Sequence, residues 1–254
     1  MLNIVVPMAG LGSRFIKAGY QTPKPFIDVD GIPMILRVVN NLTPMEPYRF
    51  IFLARRDHED YIRQHMSFAT NVIYVDEVTE GAACTVLLAK ELINNEDSLI
   101  IANSDQLVRW NDKDVVRNAN GIYWKESNNI QDMLNEARSN MRSGSIATFH
   151  ATHPKWSYAQ VGNNGLVMRV AEKKVISNLA TVGIYYYRHG RLFVTAAERM
   201  IEKDVRVNNE FYVCPVFNEM IESAQTIGVY PVKSMVGLGT PEDLNLYKLK
   251  RRSL

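Results

Sequence analysis

Short, β-branched apolar runs alternate with stretches of helical spacing through the first hundred residues. Residues 2–6 form such a run, end in a turn and read as a buried strand of a parallel sheet. Residues 48–53, 71–75 and 98–102 read the same way. Between them, 33–42 has the spacing of an amphipathic helix with Pro33 near its first turn. Asp57 is expected to cap a helix that runs to about Met66. A helix over 81–93 spreads Ala82, Ala83, Val86, Leu87 and Ala89 on its buried side. This alternation predicts βαβ units, right-handed crossovers and a parallel sheet whose ligands bind outside the carboxyl ends of the strands.

The second half reads differently. Residues 111–140 are polar, with Asn-Asn and Asn-Gly pairs, and predict a loop or surface insertion followed by a helix near 130–141. Strands follow at 145–150, 158–161, 167–171 and 179–187, with Gly162-Asn163-Asn164-Gly165 as a hairpin turn. Helices are expected at 191–202 and 211–223, a strand at 228–232, and a closing helix from 241 to about 251. The fold class is therefore α/β: a Rossmann-like, mostly parallel mixed sheet with helices on both faces. No Pro/Gly/Ser linker divides the chain, so 1–254 is expected to be a single domain, with halves at about 1–110 and 145–240.

Composition narrows the function. The 254 residues carry 29 basic and 27 acidic side chains, a formal net charge of +2, so no basic excess marks a nucleic-acid binder. The one basic cluster, Lys248 to Arg252, reads as the cationic end of a helix. Hydrophobic residues make up 46%, enough for an ordinary core, and no run of 18 apolar residues predicts a membrane span. The two cysteines, Cys84 and Cys214, lie far apart in apolar contexts and read as reduced core residues of a cytoplasmic protein. No signal peptide is expected from the N-terminal residues.

The chemistry concentrates at the first turn. Pro7-Met8-Ala9-Gly10-Leu11-Gly12-Ser13-Arg14-Phe15 is a two-glycine loop at a strand end, where backbone N–H groups can face an anion. Arg14 adds a forked cation suited to phosphate. Lys24, between Pro23 and Pro25, is aimed by a stiff segment. A Walker A loop would need Lys-Ser/Thr after the last glycine; a dinucleotide fingerprint would need a small residue where Phe15 stands and an acidic residue ending a second strand, whereas Asp28 and Asp30 sit in a turn. Asp105 closes the apolar strand 98–102 through Asn103-Ser104, where a carboxylate beside a phosphate loop suits Mg²⁺ or, alternatively, an Asx turn.

The glycine loop followed by Pro23-Lys24-Pro25 resembles the signature of the sugar-phosphate nucleotidyltransferases, the sugar-nucleotide pyrophosphorylases, whose fold is GT-A-like. The resemblance runs from residue 4 to residue 244 and is weakest over 106–165. It implies that Met8, Ala9, Gly10, Leu11, Gly12, Ser13 and Ser104 hold the nucleotide, that Arg14, Lys24 and Asp105 are catalytic, and that Asp105 binds Mg²⁺. Glu80-Gly81 resembles the family's base-recognition turn; acidic residues at a helix N-terminus would read alike. Glu172-Lys173 resembles the pair that contacts the sugar and its phosphate, although Lys174 stands where the family has proline; an exposed charge pair would look the same. Gly183 matches a glycine that lies against the sugar, and Glu210 a residue of the acceptor-binding turn.

Gly237-Leu238-Gly239-Thr240-Pro241-Glu242-Asp243-Leu244 resembles the family's Asp-x-Gly-Thr-Pro-Glu-Asp-Leu segment, with Gly237 in place of a second Mg²⁺-binding aspartate. Asp76, Glu210 and Asp243 are candidate substitutes. The implied reaction joins a nucleoside triphosphate to a phosphorylated small-molecule acceptor, foremost a sugar 1-phosphate, and releases pyrophosphate. The partners are small molecules; neither nucleic acid nor a membrane is expected, and a homo-oligomer is left open. A cytidylyltransferase acting on a non-sugar phosphate and a glycosyltransferase using a nucleotide sugar are the other enzyme readings, and a non-catalytic nucleotide-sensing domain is the third class. Asn103-Ser104-Asp105 departs from the Asp-x-Asp usual in such glycosyltransferases.

Overall fold

The structure, a computed structural model, describes residues 1–111, 115–118, 121–124 and 130–252. In chain order the elements are β1 (Leu2–Pro7), α1 (Ser13–Lys17), a 3-10 turn (Lys24–Phe26), β2 (Asp28–Val29), β3 (Ile32–Pro33), α2 (Met34–Leu42), β4 (Tyr48–Arg55), α3 (Glu59–His65), β5 (Val72–Val75), α4 (Ala82–Leu87), α5 (Lys90–Ile93), β6 (Ser98–Ala102) and β7 (Gln106–Arg109). There follow β8 (Val115–Asn118), β9 (Gly121–Trp124), α6 (Ile130–Ser139), β10 (Gly144–His150), β11 (Tyr158–Val161), β12 (Val167–Ala171), β13 (Leu179–Tyr187), α7 (Gly190–Glu202), α8 (Val216–Glu222), β14 (Ile227–Pro231), β15 (Ser234–Gly237) and α9 (Pro241–Arg252).

One nine-stranded sheet draws strands from both halves of the chain. Its order is β12-β11-β13-β6-β1-β4-β5, with β10 beside β13 and β14 beside β10. β1 pairs in parallel with β4 and β6, and β10 with β14. Only β12 and β13 run against the rest, which makes the sheet mixed and mostly parallel. Period-2 alternation sorts its side chains between two cores. Leu2, Ile4 and Val6 of β1 and Ile100 and Ala102 of β6 pack on one face with residues of α2 and α6. Val5, Leu99 and Ile101 pack on the other with residues of α4, α7 and α8. Burial on both faces is why these strands read as unbroken apolar runs.

Several expectations are corrected. Asp57 does not cap α3; Arg55 binds its carboxylate at 2.5 Å, and the helix begins at Glu59 behind a 3-10 turn. The helix expected over 81–93 breaks into α4 and α5. The helix expected from 211 starts at Val216, because Phe211 is bonded elsewhere: its N–H donates to the Glu80 carbonyl at 2.8 Å, and its carbonyl accepts from the Ala83 N–H at 2.9 Å. Within the expected insertion, β8 and β9 form an antiparallel pair, while 112–114, 119–120 and 125–129 lie outside the described residues.

A second small ribbon positions the site. β7, directly after Asp105, pairs antiparallel with β15, so that Gln106 lies opposite Gly237. Buried Asn41 of α2 fixes β7 from behind: its Nδ2 donates to the Val108 carbonyl and its Oδ1 accepts from the Val108 N–H, both at 2.8 Å. An amide that satisfies both backbone groups of one residue holds that strand in a single register.

Candidate active site

A cleft of about 580 Å³ opens where β1 and β6 end and β7 begins. The first wall is the glycine loop. Gly12 takes a left-handed φ of +63°, and Lys24 lies close enough that a Cβ on Gly12 would come within 3.1 Å of the lysine's Cβ. Gly10 is different: apart from its own chain neighbours, no atom of the protein lies within 4 Å of where its Cβ would be. The Arg14 side chain is exposed at the cleft; its charge bears on Glu242, but it makes no side-chain hydrogen bond or close ion pair among the described residues. Lys24 enters on the 3-10 turn between Pro23 and Pro25, and its ammonium donates to Asp105 Oδ2. Both partners are largely sheltered, with 20% of each side chain exposed, so this pair is screened less than a surface pair.

Asn103, Ser104 and Asp105 form the floor beyond β6. Gly183 of β13 also lines it, and its φ of +73° has a local cause. A Cβ there would lie 2.7 Å from Asn103 Cγ and overlap Asn103 Nδ2 and Gln106 Oε1, so β13 can reach Asn103 only as glycine. The Gly183 carbonyl accepts the Asn103 N–H at 2.9 Å, which ties the floor to β13.

The opposite wall carries Glu172, Lys173 and Tyr212. Glu172 accepts a hydrogen bond from Ser157 Oγ, and burial raises its pKa above the ordinary carboxylate value. Lys173 adopts φ +52°, unusual for a lysine, and its ammonium lies 4.4 Å from the Tyr212 ring centroid and donates to the Tyr212 hydroxyl. Cys214 also borders the cleft, but burial drives its thiol far above the ordinary range and leaves it a poor nucleophile. No histidine lines the cleft among the described residues. Arg14, Lys24, Lys155 and Lys173 bring four cations to the lining, and no Ser or Cys of the lining has a histidine beside it there among the described residues.

Of the residues singled out in the sequence, Met8, Gly10, Gly12, Arg14, Lys24, Ser104, Asp105, Glu172, Lys173 and Gly183 converge on this cleft. Ala9 is buried, and Leu11 and Ser13 are exposed outside the lining. Glu80 is turned to Arg206, at 2.6 Å. Gly81 has φ +131°, and a Cβ there would meet the backbone N and O of Phe211 at 2.5 Å. Glu210 lies outside the lining and exchanges backbone bonds with Val207 at 3.0 Å. Of the three substitutes for an aspartate at 237, Asp76 is bound to Arg56 away from the cleft and only Asp243 lines it. Tyr212 lies in the stretch 209–212 that resembles the acceptor-binding turn and lines the cleft; Lys155 and Trp156 carried no periodic or motif signal, and the structure adds them to the site.

An α/β sheet with a glycine loop, a Pro-flanked lysine and a strand-end aspartate around one cleft defines a class of phosphate-handling folds. Comparison makes the assignment narrower: the family profile described as nucleotidyl transferase matches residues 4–244, and the chain belongs to that family. Among curated relatives, the bifunctional protein GlmU of Methanococcus aeolicus is 24% identical over 166 residues; the match covers 58% of this chain and spans 40% of that relative's length. The solved nucleoside-diphosphate-sugar pyrophosphorylase of Vibrio cholerae RC9 has a TM-score of 0.73 at 22% identity, over 96% of this chain and 98% of its own. The inositol-1-phosphate CTP transferase of T. maritima has a TM-score of 0.70 at 13% identity, over 98% and 93%. At these identities the likeness to the solved structures is one of fold. No helix among the described residues is long and apolar enough to cross a membrane.

Proposed function

We propose that this chain transfers a nucleotidyl group from a nucleoside triphosphate to a phosphorylated small molecule, foremost a sugar 1-phosphate, with release of pyrophosphate. The observation that carries this reading is the Lys24–Asp105 pair set against the open face of Gly10 in one cleft. An acceptor phosphate is already ionised at neutral pH, so in-line attack on the α-phosphorus needs alignment and charge neutralisation and no general base. The bond from the acceptor oxygen to the α-phosphorus forms as the α,β-bridging bond breaks, and pyrophosphate carries away the charge.

Each cation has a place in that scheme. Arg14, unpaired at the mouth, binds the departing phosphates. Lys24 leaves Asp105 for the transferred phosphoryl group. Lys173, held over Tyr212, takes the acceptor phosphate, and Glu172 with Gly183 adjoins the rest of the acceptor. Asp105 supplies the hard oxygen donor that Mg²⁺ prefers, at a strand end where phosphates would complete the shell. Bound there, Mg²⁺ would neutralise charge on the triphosphate.

A non-sugar phosphate acceptor is the second reading. It is favoured by the rings of Trp156 and Tyr212 on the cleft lining and by the engagement of Glu172 with Ser157. Pyrophosphate release with Mg²⁺, each of the four common triphosphates and a panel of sugar 1-phosphates and alkyl phosphates tests both. Release that needs one triphosphate and one acceptor, and is lost in Asp105→Ala, is expected. Transfer from a nucleotide sugar to a hydroxyl instead would replace the proposal with a glycosyltransferase.

A further inference from the structure

Three carboxylates line the cleft: Asp105, Glu172 and Asp243. Glu172 is on the opposite wall with Ser157; the other two are Asp105 and Asp243. These two abut one short backbone strip. A Cβ on Gly239 would lie 3.0 Å from Asp105 Oδ2, and a Cβ on Gly237 would lie 3.8 Å from Asp243 Oδ2 and 3.5 Å from Trp156 Cη2. The Leu238 N–H between them donates to the Asp105 carbonyl at 2.7 Å. The β7–β15 ribbon therefore fixes both acids: Asp105 immediately precedes β7, and Asp243 stands in the first turn of α9 beyond β15. A carboxylate grown from position 237 would head into space that Asp243 and Trp156 already border.

Each of the two acids also holds a lysine from a distant part of the chain. Lys24 serves Asp105; Lys155 serves Asp243 at 3.4 Å. Lys155 lies 4.5 Å from the Trp156 ring centroid, and Trp156 is seated edge-on against Phe149 at 5.6 Å. At 3.4 Å, with 45% of the lysine side chain exposed, the Lys155–Asp243 pair is weak and readily exchanged.

We propose that Asp243 is the second carboxylate for the divalent cation that accompanies the triphosphate, supplied from α9 in place of position 237, and that Lys155 is its counter-ion while the cation is away. This rests on the nucleotidyl-transfer reading. The chemistry suits the ion, since Mg²⁺ is commonly held by one or two carboxylates together with substrate phosphates. Lys155 neutralises the second acid much as Lys24 does the first.

The test uses Mn²⁺ with inorganic pyrophosphate, which bears the phosphates common to every triphosphate, and reads bound Mn²⁺ by electron paramagnetic resonance. Asp243→Asn is expected to weaken Mn²⁺ binding about tenfold or more, comparable with the loss of a supporting metal-site group. Lys155→Met, which removes the competing cation, is expected to tighten it. Wild-type binding by Asp243→Asn, alongside loss in Asp105→Asn, overturns the inference and leaves the reaction standing. Equal or weaker binding by Lys155→Met overturns it as well, and this variant serves should Asp243→Asn fail to fold. A wild-type protein that binds no Mn²⁺–pyrophosphate refutes the nucleotidyl-transfer reading itself.

Discussion

Replacing Gly81 by alanine separates a glycine kept for packing from one kept for a ligand. The new Cβ would stand 2.5 Å from both N and O of Phe211 and 2.9 Å from its carbonyl carbon. Those atoms cannot retreat freely, because the Phe211 N–H is bonded to Glu80 at 2.8 Å and its carbonyl to the Ala83 N–H at 2.9 Å. The residue would also be held at φ +131°, outside the regions open to alanine. Overpacking costs about 1–3 kcal/mol and a disfavoured backbone conformation roughly the same again, so a loss of about 2–6 kcal/mol is expected. For a chain of this size that lowers Tm by roughly 4–24 °C. Thermal unfolding followed by circular dichroism measures it, with Gly10→Ala as the control. Apart from its own chain neighbours, position 10 has no protein atom within 4 Å, so its alanine should stay within about 0.5 kcal/mol of wild type while weakening nucleotide binding. A Gly81→Ala protein that melts with wild type, or a Gly10→Ala protein equally destabilised, would refute the assignment of the two glycines.

Other consequences can be measured with single variants. Lys24→Met should lower pyrophosphate release about 10²–10³-fold, the usual loss when one preorganised donor to a developing charge is removed. Glu172 has a folded pKa above its unfolded value because burial disfavours the anion, so stability is fully present below the unfolded pKa and lost as pH rises through the folded one. Glu172→Gln should therefore melt higher than wild type at pH 8, with the gap closing near pH 4, and should lose activity. Glu46 has the opposite sign: hydrogen bonding from Arg138, at 2.5 and 2.6 Å, holds its pKa below the usual carboxylate value. That contribution is present above the unfolded pKa and lost as pH falls through the folded one. Acid melts of Glu46→Gln should consequently fall less steeply than wild type between pH 5 and pH 3.

The central sheet was readable because its strands are buried on both faces and carry long β-branched runs, as in 98–102 and 179–187. The strand-end positions of the glycine loop and Asp105 followed directly. What escaped the sequence is non-local. β7 and β15 form a ribbon apart from the main sheet and are defined by each other and by Asn41. That pairing is what sets position 237 opposite Gln106 and brings Gly239 to Asp105. Gly81 and Gly183 were readable as glycines that something approaches closely; the protein atoms closest to a Cβ there belong to Phe211 at Gly81 and to Asn103 and Gln106 at Gly183. The late start of α8 has the same origin, since a residue bonded to another segment's backbone is withdrawn from the helix that its own spacing favours.

The reaction is tested most directly by following two labels through one turnover, using the triphosphate and acceptor selected by the pyrophosphate assay. Nucleotidyl transfer requires that ³²P from the α-position appear in the activated product and ³²P from the γ-position appear in pyrophosphate. Label from the γ-position on the acceptor would mean phosphoryl transfer at the other end of the triphosphate, and the roles given to Arg14, Lys24 and Asp105 would be wrong.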